Sequence, residues 1–498
     1  MLTRARARWY LFDGSPIIER SLPIAKAALG RGPRVLFNSF VFLGLFLPIT
    51  YGVFWLLRTA NARYVWLTIT GYVFYGYWNP RFCLLMAFST LVSFSAGLGF
   101  LRWSDPRRRK LCLVLPIVID LTLLGFFKYA NFVVHSFAGL ANVLGARVAP
   151  PSWNIVLPIG ISFYTFHTIT YIVDGYRGVI RPTRNFFEFS AYVSLFSQLV
   201  AGPIVRFRQI EEDLEAVGHA DRRRWLGLGV SFFITGLVEK VVVADSLAAF
   251  VDPALAHYHA LSSAGVWLAM LGYTFQIYFD FAGYSDMAIG LGYLFGLRIP
   301  INFRSPYKAL DPSDFWRRWH ISLSTCLRDY LYIPLGGNRD GEWRTYRNLM
   351  LTMLIGGLWH GASWTFVAWG AYHGLLLAAY RRWGAAWDRL PAAMRQVAMF
   401  LAVVLGWVLF RARDFGMAAS LLRSMFVPVR GDSVDHPAVM SLLLAGAAWW
   451  AMRGPNAIDL HQDWTPRPRR ALALSAAFGA CIALVLGNGS SPFLYFQF

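Results

Sequence analysis

Long apolar runs, separated by short segments rich in arginine, recur along the chain from residue 35 onward. A helix that crosses a bilayer needs about 20 predominantly apolar residues. Runs of this kind occupy residues 35–57, 64–78, 82–101, 111–127, 129–144, 154–178, 189–207, 226–250, 262–279, 348–374, 396–410, 438–452 and 471–487. Because some of these runs are weak or broken, the pattern predicts an all-α polytopic membrane protein with about 11 transmembrane helices.

Two of the runs are interrupted by proline and glycine. Pro158 and Gly160 lie early in residues 154–178, and Gly202 and Pro203 interrupt residues 189–207. Proline removes a backbone donor and kinks or ends a helix. A kinked span and a re-entrant element therefore both remain open for residues 154–178. We see neither an internal repeat nor a second folding unit, so residues 35–498 are predicted to form one transmembrane domain after an N-terminal extension, residues 1–34.

Composition supports a membrane protein and argues against a nucleic-acid partner. The chain is 56% hydrophobic and 17% aromatic but only 15% charged, whereas soluble domains carry about a quarter charged residues. The net charge of +20 comes from clusters between the apolar runs, at residues 102–110, 221–224 and 467–470. Loops retained in the cytoplasm explain such clusters directly. The chain is therefore expected to lie in the lipid bilayer and to bind no nucleic acid.

The four cysteines are far apart and indicate no particular chemistry. Cys83, Cys112, Cys326 and Cys481 have neither CxxC spacing nor a histidine at ligand spacing. The pattern predicts no disulfide framework and no metal site, and small apolar packing in helices explains the four side chains.

Between residues 311 and 374, His320 and His360 each lie inside an otherwise apolar or aromatic segment, which makes them candidates for function. Asp311 and Pro312 form a helix start. The sequence that follows is amphipathic, and its arginines lie mostly off the apolar face. We predict an interfacial helix that carries His320 into the protein, with its apolar face made of Trp316, His320, Leu323, Ser324 and Leu327.

His360 lies deep in the segment LIGGLWHGASW. Gly356, Gly357 and Gly361 leave room beside it for another helix or for a substrate chain. Trp316, Trp319 and Trp359 are expected to pack around the two imidazoles and restrict their rotamers. Two buried histidines of this kind favour a reaction centre, because neutral histidine can take a proton from a hydroxyl.

Other polar groups in apolar segments have competing interpretations. His167 is expected to be a hydrogen-bonded histidine of the core. His373 is expected to lie at the membrane interface. Asp280 and Asp286 could form an acid–base pair or a cation site, but six residues separate them, so they do not share a helix face. Structural or capping roles are favoured. A proton-coupled transporter is the alternative from another class, but such proteins often have an inverted repeat, which is lacking here. A non-catalytic scaffold is a third possibility.

The segments WRRWHISLSTCLRDYLYIPLGGNR and GGLWHGASWTFVAWGAYHG together resemble the membrane-bound O-acyltransferase (MBOAT) family, most closely its bacterial alginate O-acetyltransferase-like branch. LPIGISFYTFHTITYIVDGYRG, SLFSQLVAGPIVRF and the C-terminal SPFLYFQF resemble the same branch, so the similarity covers residues 35–498. It implies a helical fold around a central funnel. It also implies that His360 and His320 are the catalytic histidines, supported along a substrate tunnel by Trp316, Trp319, Ser324, Trp359, Gly357, Gly361, Asp280 and Asp286.

The resemblance also implies a reaction. The enzyme would transfer an acyl group, expected to be acetyl, from a cytoplasmic thioester to hydroxyls of an exported polysaccharide such as alginate. The donor would be acetyl-CoA or an acyl-carrier thioester, with no bound cofactor. A periplasmic SGNH-type partner and a multi-pass location in the bacterial inner membrane are also implied. D-alanyl or other acyl transfer to a cell-envelope polymer remains the alternative.

One departure from this branch concerns the start of the chain. Its members commonly begin with Met-Val-Phe or Met-Leu-Phe just before the first span, and the equivalent here is Val35-Leu36-Phe37. We therefore expect residues 1–34 to reflect a mis-assigned start, with Val35 as the initiator. Mass spectrometry of the native N-terminus would test this, and an intact Met1 peptide would contradict it.

Overall fold

The computed structural model describes residues 36–151, 153, 155–200, 202–219, 221–461, 464–488 and 493–494. This part of the chain is helical and contains no β-strand. The predicted extension, residues 1–34, and the proposed initiator Val35 lie outside the described residues.

Helices α1 to α9 form the first half of the described chain. They are Phe42–Leu56 (α1), Ala60–Gly76 (α2), Arg81–Arg102 (α3), Pro106–Val143 (α4), Ile161–Arg177 (α5), Phe186–Ser194 (α6), Phe196–Leu199 (α7), Phe207–Glu215 (α8) and Arg222–Ala256 (α9). The second half contains Ser263–Leu294 (α10), Pro312–Arg318 (α11), Ile321–Leu327 (α12), Glu342–His360 (α13), Trp364–Trp387 (α14), Ala392–Arg411 (α15), Phe415–Phe426 (α16), Pro437–Met452 (α17), Ala457–His461 (α18) and Pro468–Asn488 (α19).

Within the described residues, five helices are long and apolar enough to cross a membrane: α3, α4, α9, α15 and α19. Two shorter helices, α1 and α17, are also apolar. This confirms an all-α polytopic membrane protein. The number of about 11 spans stays a prediction, because length and composition do not decide the shorter and more polar helices.

The helix is interrupted in both runs near the proline and glycine residues named above. In the first run the helix α5 begins only at Ile161, after Gly160 adopts a left-handed backbone (φ 77°), so Pro158 precedes the helix. In the second run α6 and α7 are short, and the backbone beyond Gly202 is not helical until α8. In the second run the chain can leave the helical state because residues 202–206 are buried in protein.

The centre of the molecule is α10, a buried helix of 32 residues that packs closely against α9. Two pairs of glycines permit this approach. A Cβ on Gly283 would lie 2.5 Å from the carbonyl oxygen of Gly236, and a Cβ on Gly290 would lie 2.6 Å from that of Gly229. Both helices repeat the glycine after seven residues, or two turns, so the contact follows one line along each helix.

Candidate active site

The backbone breaks at His320. We predicted one amphipathic helix through this residue, and that prediction is wrong: α11 ends at Arg318 and α12 begins at Ile321. His320 has φ 42° and ψ 55°, a left-handed conformation that is rare for a residue with a side chain. Such conformations cost about 1–3 kcal/mol and are concentrated at functional sites. The predicted helix start is confirmed, since the Asp311 carboxylate accepts a hydrogen bond from the Asp314 N–H at 2.7 Å.

The His320 side chain is fully buried and is held at one ring nitrogen. Its Nδ1 lies 3.0 Å from Oδ1 of Asn302, in the segment between α10 and α11. Its Nε2 has no hydrogen-bond partner within the described part of the chain. A buried polar atom in this state needs an explanation, and a bound substrate is one.

His360 is the last residue of α13 and lies beside His320. The centroids of the two imidazole rings are 6.3 Å apart. His360 is 5% exposed and packs against the rings of Trp359, Trp369 and Phe410, at 5.0, 5.0 and 5.3 Å. The structure therefore brings together the two histidines identified from the sequence.

The end of α13 is capped by side chains from α4. The last carbonyls of a helix lack partners within the helix. The ammonium group of Lys128 donates to the Trp359 carbonyl oxygen, and the Tyr129 hydroxyl donates to that of Leu358 at 3.0 Å. Lys128 also donates to the Ser162 hydroxyl at 3.3 Å. Lys128 and Tyr129 belong to a π-helical turn in α4, a local irregularity that is frequent at functional sites.

An apolar cavity of about 220 Å³ extends from His360. It is lined by Trp316, Leu323, Ser324, Leu327, Arg328, Tyr332, Leu349, Thr352, Met353, Gly356, His360, Trp369 and Leu377. The lining residues of α13 extend along one face of the helix from Leu349 to His360. At 1.5 Å per residue, this gives the cavity a length of roughly 16 Å. Since His320 lies beside His360 and Leu327 beside Gly356, Arg328 and Tyr332 belong to the far end.

The far end of the cavity adjoins a group of basic residues. Arg206 and Arg328 both form ion pairs with Asp329, at 2.6 and 2.7 Å, and the Arg177 and Arg206 guanidinium groups lie over the Tyr330 ring. Burial acts to raise the pKa of Asp329, but the hydrogen bonds and charges of the two arginines outweigh it and hold that pKa below its usual value. The cavity thus leads from the basic residue Arg328 to His360, beside which His320 lies.

Among the predicted supporting residues, Trp316 and Ser324 line the cavity, and the Trp359 ring contacts both histidines, at 5.8 Å from the His320 ring and 5.0 Å from the His360 ring. Trp319 instead turns into the aromatic core, against Phe303 and Trp407. The prediction that all three tryptophans surround the imidazoles therefore holds for Trp359, whereas Trp316 packs against His373.

The glycines near His360 mainly serve helix packing. A Cβ on Gly357 would collide with the Phe366 carbonyl oxygen, and one on Gly361 with the Phe366 ring. These two residues admit α14 close to α13. Gly356 lines the cavity, and a Cβ there would lie 3.1 Å from Leu327 Cδ1. Gly357 and Gly361 thus make room for a neighbouring helix, whereas Gly356 makes room in the cavity.

Asp280 and Asp286 belong to a buried charge cluster away from the cavity. Asp280 pairs with Lys240 of α9 at 2.6 Å, and Lys240 also pairs with Asp245 at 2.6 Å. Asp286 lies against Glu239. Neither aspartate lines the cavity described above. Their contacts fit the structural roles favoured from the sequence, and the charge of Asp280 is used in an ion pair rather than left for proton transport.

The two remaining histidines differ in their distance from the site. His373 is buried against Phe315, Trp316 and Trp369, and Trp369 also contacts His360. The expectation that His373 is interfacial is therefore wrong, because it lies one aromatic ring away from His360. His167 is fully buried beside Tyr192, at 5.4 Å between rings, and does not line the cavity.

Sequence reasoning missed Asn302 and Lys128. Asn302 contacts His320 from 18 residues away, and Lys128 reaches the end of α13 from 231 residues away. One signal was available for each. Asn302 is the single polar side chain in the run IPINF, and Lys128 is the single charged residue after Asp120 in its apolar run.

Known proteins resemble this chain over most of its length. The model of the MBOAT, membrane-bound O-acyltransferase family, matches residues 179–411. The protein called "Probable alginate O-acetylase AlgI" from Pseudomonas aeruginosa is 45% identical over 79% of this chain and 75% of its own length. Its counterpart from Pseudomonas putida is 40% identical over 93% of this chain and 100% of its own length. A "Peptidoglycan O-acetyltransferase" from Helicobacter pylori is 33% identical over 93% of this chain and 98% of its own.

Proposed function

The chain belongs to the membrane-bound O-acyltransferase family, and on that premise we propose that it is an O-acetyltransferase acting on the hydroxyls of an exported polysaccharide such as alginate. The observation that carries this proposal is a pair of imidazoles whose ring centroids are 6.3 Å apart, of which His360 lines the inner end of an apolar cavity. Transfer to a hydroxyl needs a base, and histidine is suited to that role near neutral pH.

His360 and His320 together supply the general base. The acceptor hydroxyl gives its proton to an imidazole nitrogen while its oxygen bonds to the thioester carbonyl carbon. Collapse of the tetrahedral intermediate breaks the C–S bond, and the imidazolium returns the proton to the leaving thiolate. General-base help of this kind is worth roughly 10²–10⁴ in rate. With no second nucleophile identified beside the histidines, direct transfer is preferred over an acyl-enzyme relay.

The donor is acetyl-CoA or an acetyl-carrier thioester. Both have a long, thin arm ending in the acetyl group and a phosphate-bearing portion at the other end. An apolar cavity of roughly 16 Å along α13 suits the arm and excludes water that would hydrolyse the thioester. Arg328, which lines the far end of the cavity and is largely exposed, suits the phosphates, because a guanidinium group binds phosphate in bidentate fashion.

The acceptor and partner are inferred from the relatives' printed names and from the family resemblance. Relatives are called probable alginate O-acetylase and peptidoglycan O-acetyltransferase, and both names describe acetylation of a glycan. The enzyme would lie in the bacterial inner membrane and work beside a periplasmic SGNH-type protein that completes the delivery of the acetyl group. Transfer of D-alanyl or another acyl group is the alternative chemistry for the same site.

Acetyl transfer measured in membranes tests this function. Membranes holding the wild-type protein and the acceptor polymer receive radiolabelled acetyl-CoA, and label in the polymer is counted. We expect His360→Ala and His320→Ala to abolish incorporation without lowering membrane abundance. His461→Gln is the matched control, since His461 is a buried histidine bonded to Thr235 in another part of the molecule. Normal labelling by His360→Ala would remove the assignment, and labelling only by D-alanyl donors would favour the alternative.

A further inference from the structure

Asn302 lies at the centre of a hydrogen-bond network that includes His320. Its Oδ1 is 3.0 Å from His320 Nδ1, 2.8 Å from the Ser322 hydroxyl and 3.3 Å from the Ser322 backbone N–H. Its Nδ2 donates to the Ser285 hydroxyl at 3.0 Å. Asn302 is fully buried, so these protein groups satisfy both ends of the amide. We propose that Asn302 is a positioning residue that fixes the tautomer of His320 for the transfer reaction.

The orientation of the Asn302 amide follows from its neighbours. A backbone N–H can only donate, so the atom that faces the Ser322 N–H is the amide oxygen. The Ser322 hydroxyl accepts from the Ile204 N–H at 2.9 Å and uses its own proton toward the same oxygen. An amide oxygen accepts hydrogen bonds and donates none. His320 Nδ1 must therefore carry the proton that is shared with Asn302.

This arrangement decides what His320 offers to the substrate. A neutral imidazole with its proton on Nδ1 has a lone pair on Nε2. The Nε2 atom is buried and, within the described chain, has no hydrogen-bond partner. The acceptor hydroxyl then breaks its O–H bond to Nε2 as its oxygen bonds to the carbonyl carbon. The resulting imidazolium keeps its Nδ1–H on the oxygen of Asn302, which stabilises the charge as it forms.

A purely structural role for Asn302 must be separated from this one. Its carbonyl oxygen accepts from the Ile321 N–H at 2.9 Å and its Oδ1 from the Ser322 N–H, so it caps the start of α12. That cap also holds His320 in its left-handed conformation. Asn302→Asp keeps both functions, because a carboxylate accepts the same hydrogen bonds, but adds a negative charge beside His320.

The inference rests on the proposed O-acetyl transfer, and its test uses the pH dependence of that reaction in the full-length protein. A carboxylate beside Nδ1 favours the protonated ring, so the acid limb of the kcat profile should move to higher pH in Asn302→Asp. Asn302→Leu removes the acceptor and should lower kcat by about 10–100-fold, the usual range for residues that orient a reacting imidazole. The titratable groups around the paired imidazoles are His373 from α14 and Lys128 from α4, and both are unchanged in these variants.

Asn348→Asp is the matched control. Asn348 is also a fully buried asparagine. Its Nδ2 donates hydrogen bonds to the carbonyl oxygens of Leu335 and Gly337, away from the histidines. We expect this variant to change abundance but to leave the pH profile unaltered. An unshifted profile in Asn302→Asp, with His360→Ala and His320→Ala inactive, would overturn the inference while leaving the proposed function intact. Full activity in both histidine variants would instead overturn the function.

Discussion

The backbone N–H of Leu494 donates a hydrogen bond of 2.9 Å to the carboxylate of Asp280, in the middle of α10. The neighbouring Phe493 ring packs on Phe281, which also contacts the ring of His320 at 4.7 Å. The C-terminal segment is thereby fixed to the helix that packs behind the site. Asp280 thus supports His320 indirectly, without reaching the cavity.

Replacement of Asp280 by alanine should destabilise the protein. Removing one member of a buried ion pair costs roughly 3–5 kcal/mol. We expect the low end of this range, because Asp245 still faces Lys240. The measurement is the thermal unfolding midpoint of the detergent-purified protein. The double variant Lys240→Met, Asp280→Leu should recover part of the loss, since it removes both of the most deeply buried charges and takes a partner only from Asp245, which is less buried. A wild-type midpoint for Asp280→Ala would contradict the structural role.

Replacement of Lys128 by methionine should slow turnover more than it weakens substrate binding. The variant loses the donor that caps the Trp359 carbonyl, and His360 is the next residue. Small displacements of a reacting group can cost about 100-fold in rate, so we expect kcat to fall about 10–100-fold with KM unchanged. Steady-state acetyl transfer gives both constants. Tyr129→Phe, which loses only the bond to Leu358, should have a smaller effect; equal kcat in Lys128→Met and wild type would exclude the role.

Filling the cavity should block the donor. Gly356→Leu places a branched side chain where the Cβ alone comes within 3.1 Å of Leu327, so it must occupy the cavity. We expect loss of transfer at all donor concentrations that can be reached, with normal membrane abundance. Gly44→Leu is the control, because nothing lies within 4 Å of a Cβ at that position. Equal activity of the two variants would show that the donor takes another route.

The ion pairs of Asp329 should make the stability of the folded protein depend on pH. Since folding lowers the pKa of this carboxyl below its ordinary value of 3.8, its contribution is present above that value and is lost as the pH falls through the folded pKa. Asp329→Asn should therefore unfold at a lower temperature than wild type at neutral pH, with the difference shrinking below about pH 4. Thermal unfolding at a series of pH values measures this. A difference that is constant with pH would point to lost packing instead.

Much of the site could be predicted because its chemistry lies in two short segments. His320 and His360 each follow a tryptophan in an apolar context. Leu323, Ser324 and Leu327, which the helical spacing assigned to one apolar face, line the cavity. The break at His320 could not be predicted, since helical periodicity continues through it. The left-handed backbone is imposed by hydrogen bonds to Asn302, and contacts between distant segments leave no local pattern.

The same limit applies to α4. Lys128 in an apolar run has no local explanation, because its partners belong to α5 and α13. Conversely, the expectation that Asp280 and Asp286 do not share a helix face rests on helix geometry alone. Their partners on α9 depend on the close helix approach that the paired glycines allow.

Because α4 caps the end of α13, the geometry of the site should depend on the lipid around α4. Only 22% of the most apolar stretch of α4 is buried in protein, which leaves most of its surface available to lipid tails, and the helix contains the π-helical turn that holds Lys128. A long helix responds to bilayer thickness by changing its tilt. In α4 such a change is transmitted to the residue before His360. Turnover should therefore vary with the acyl-chain length of the lipids in which the enzyme is reconstituted, even when no lipid enters the site.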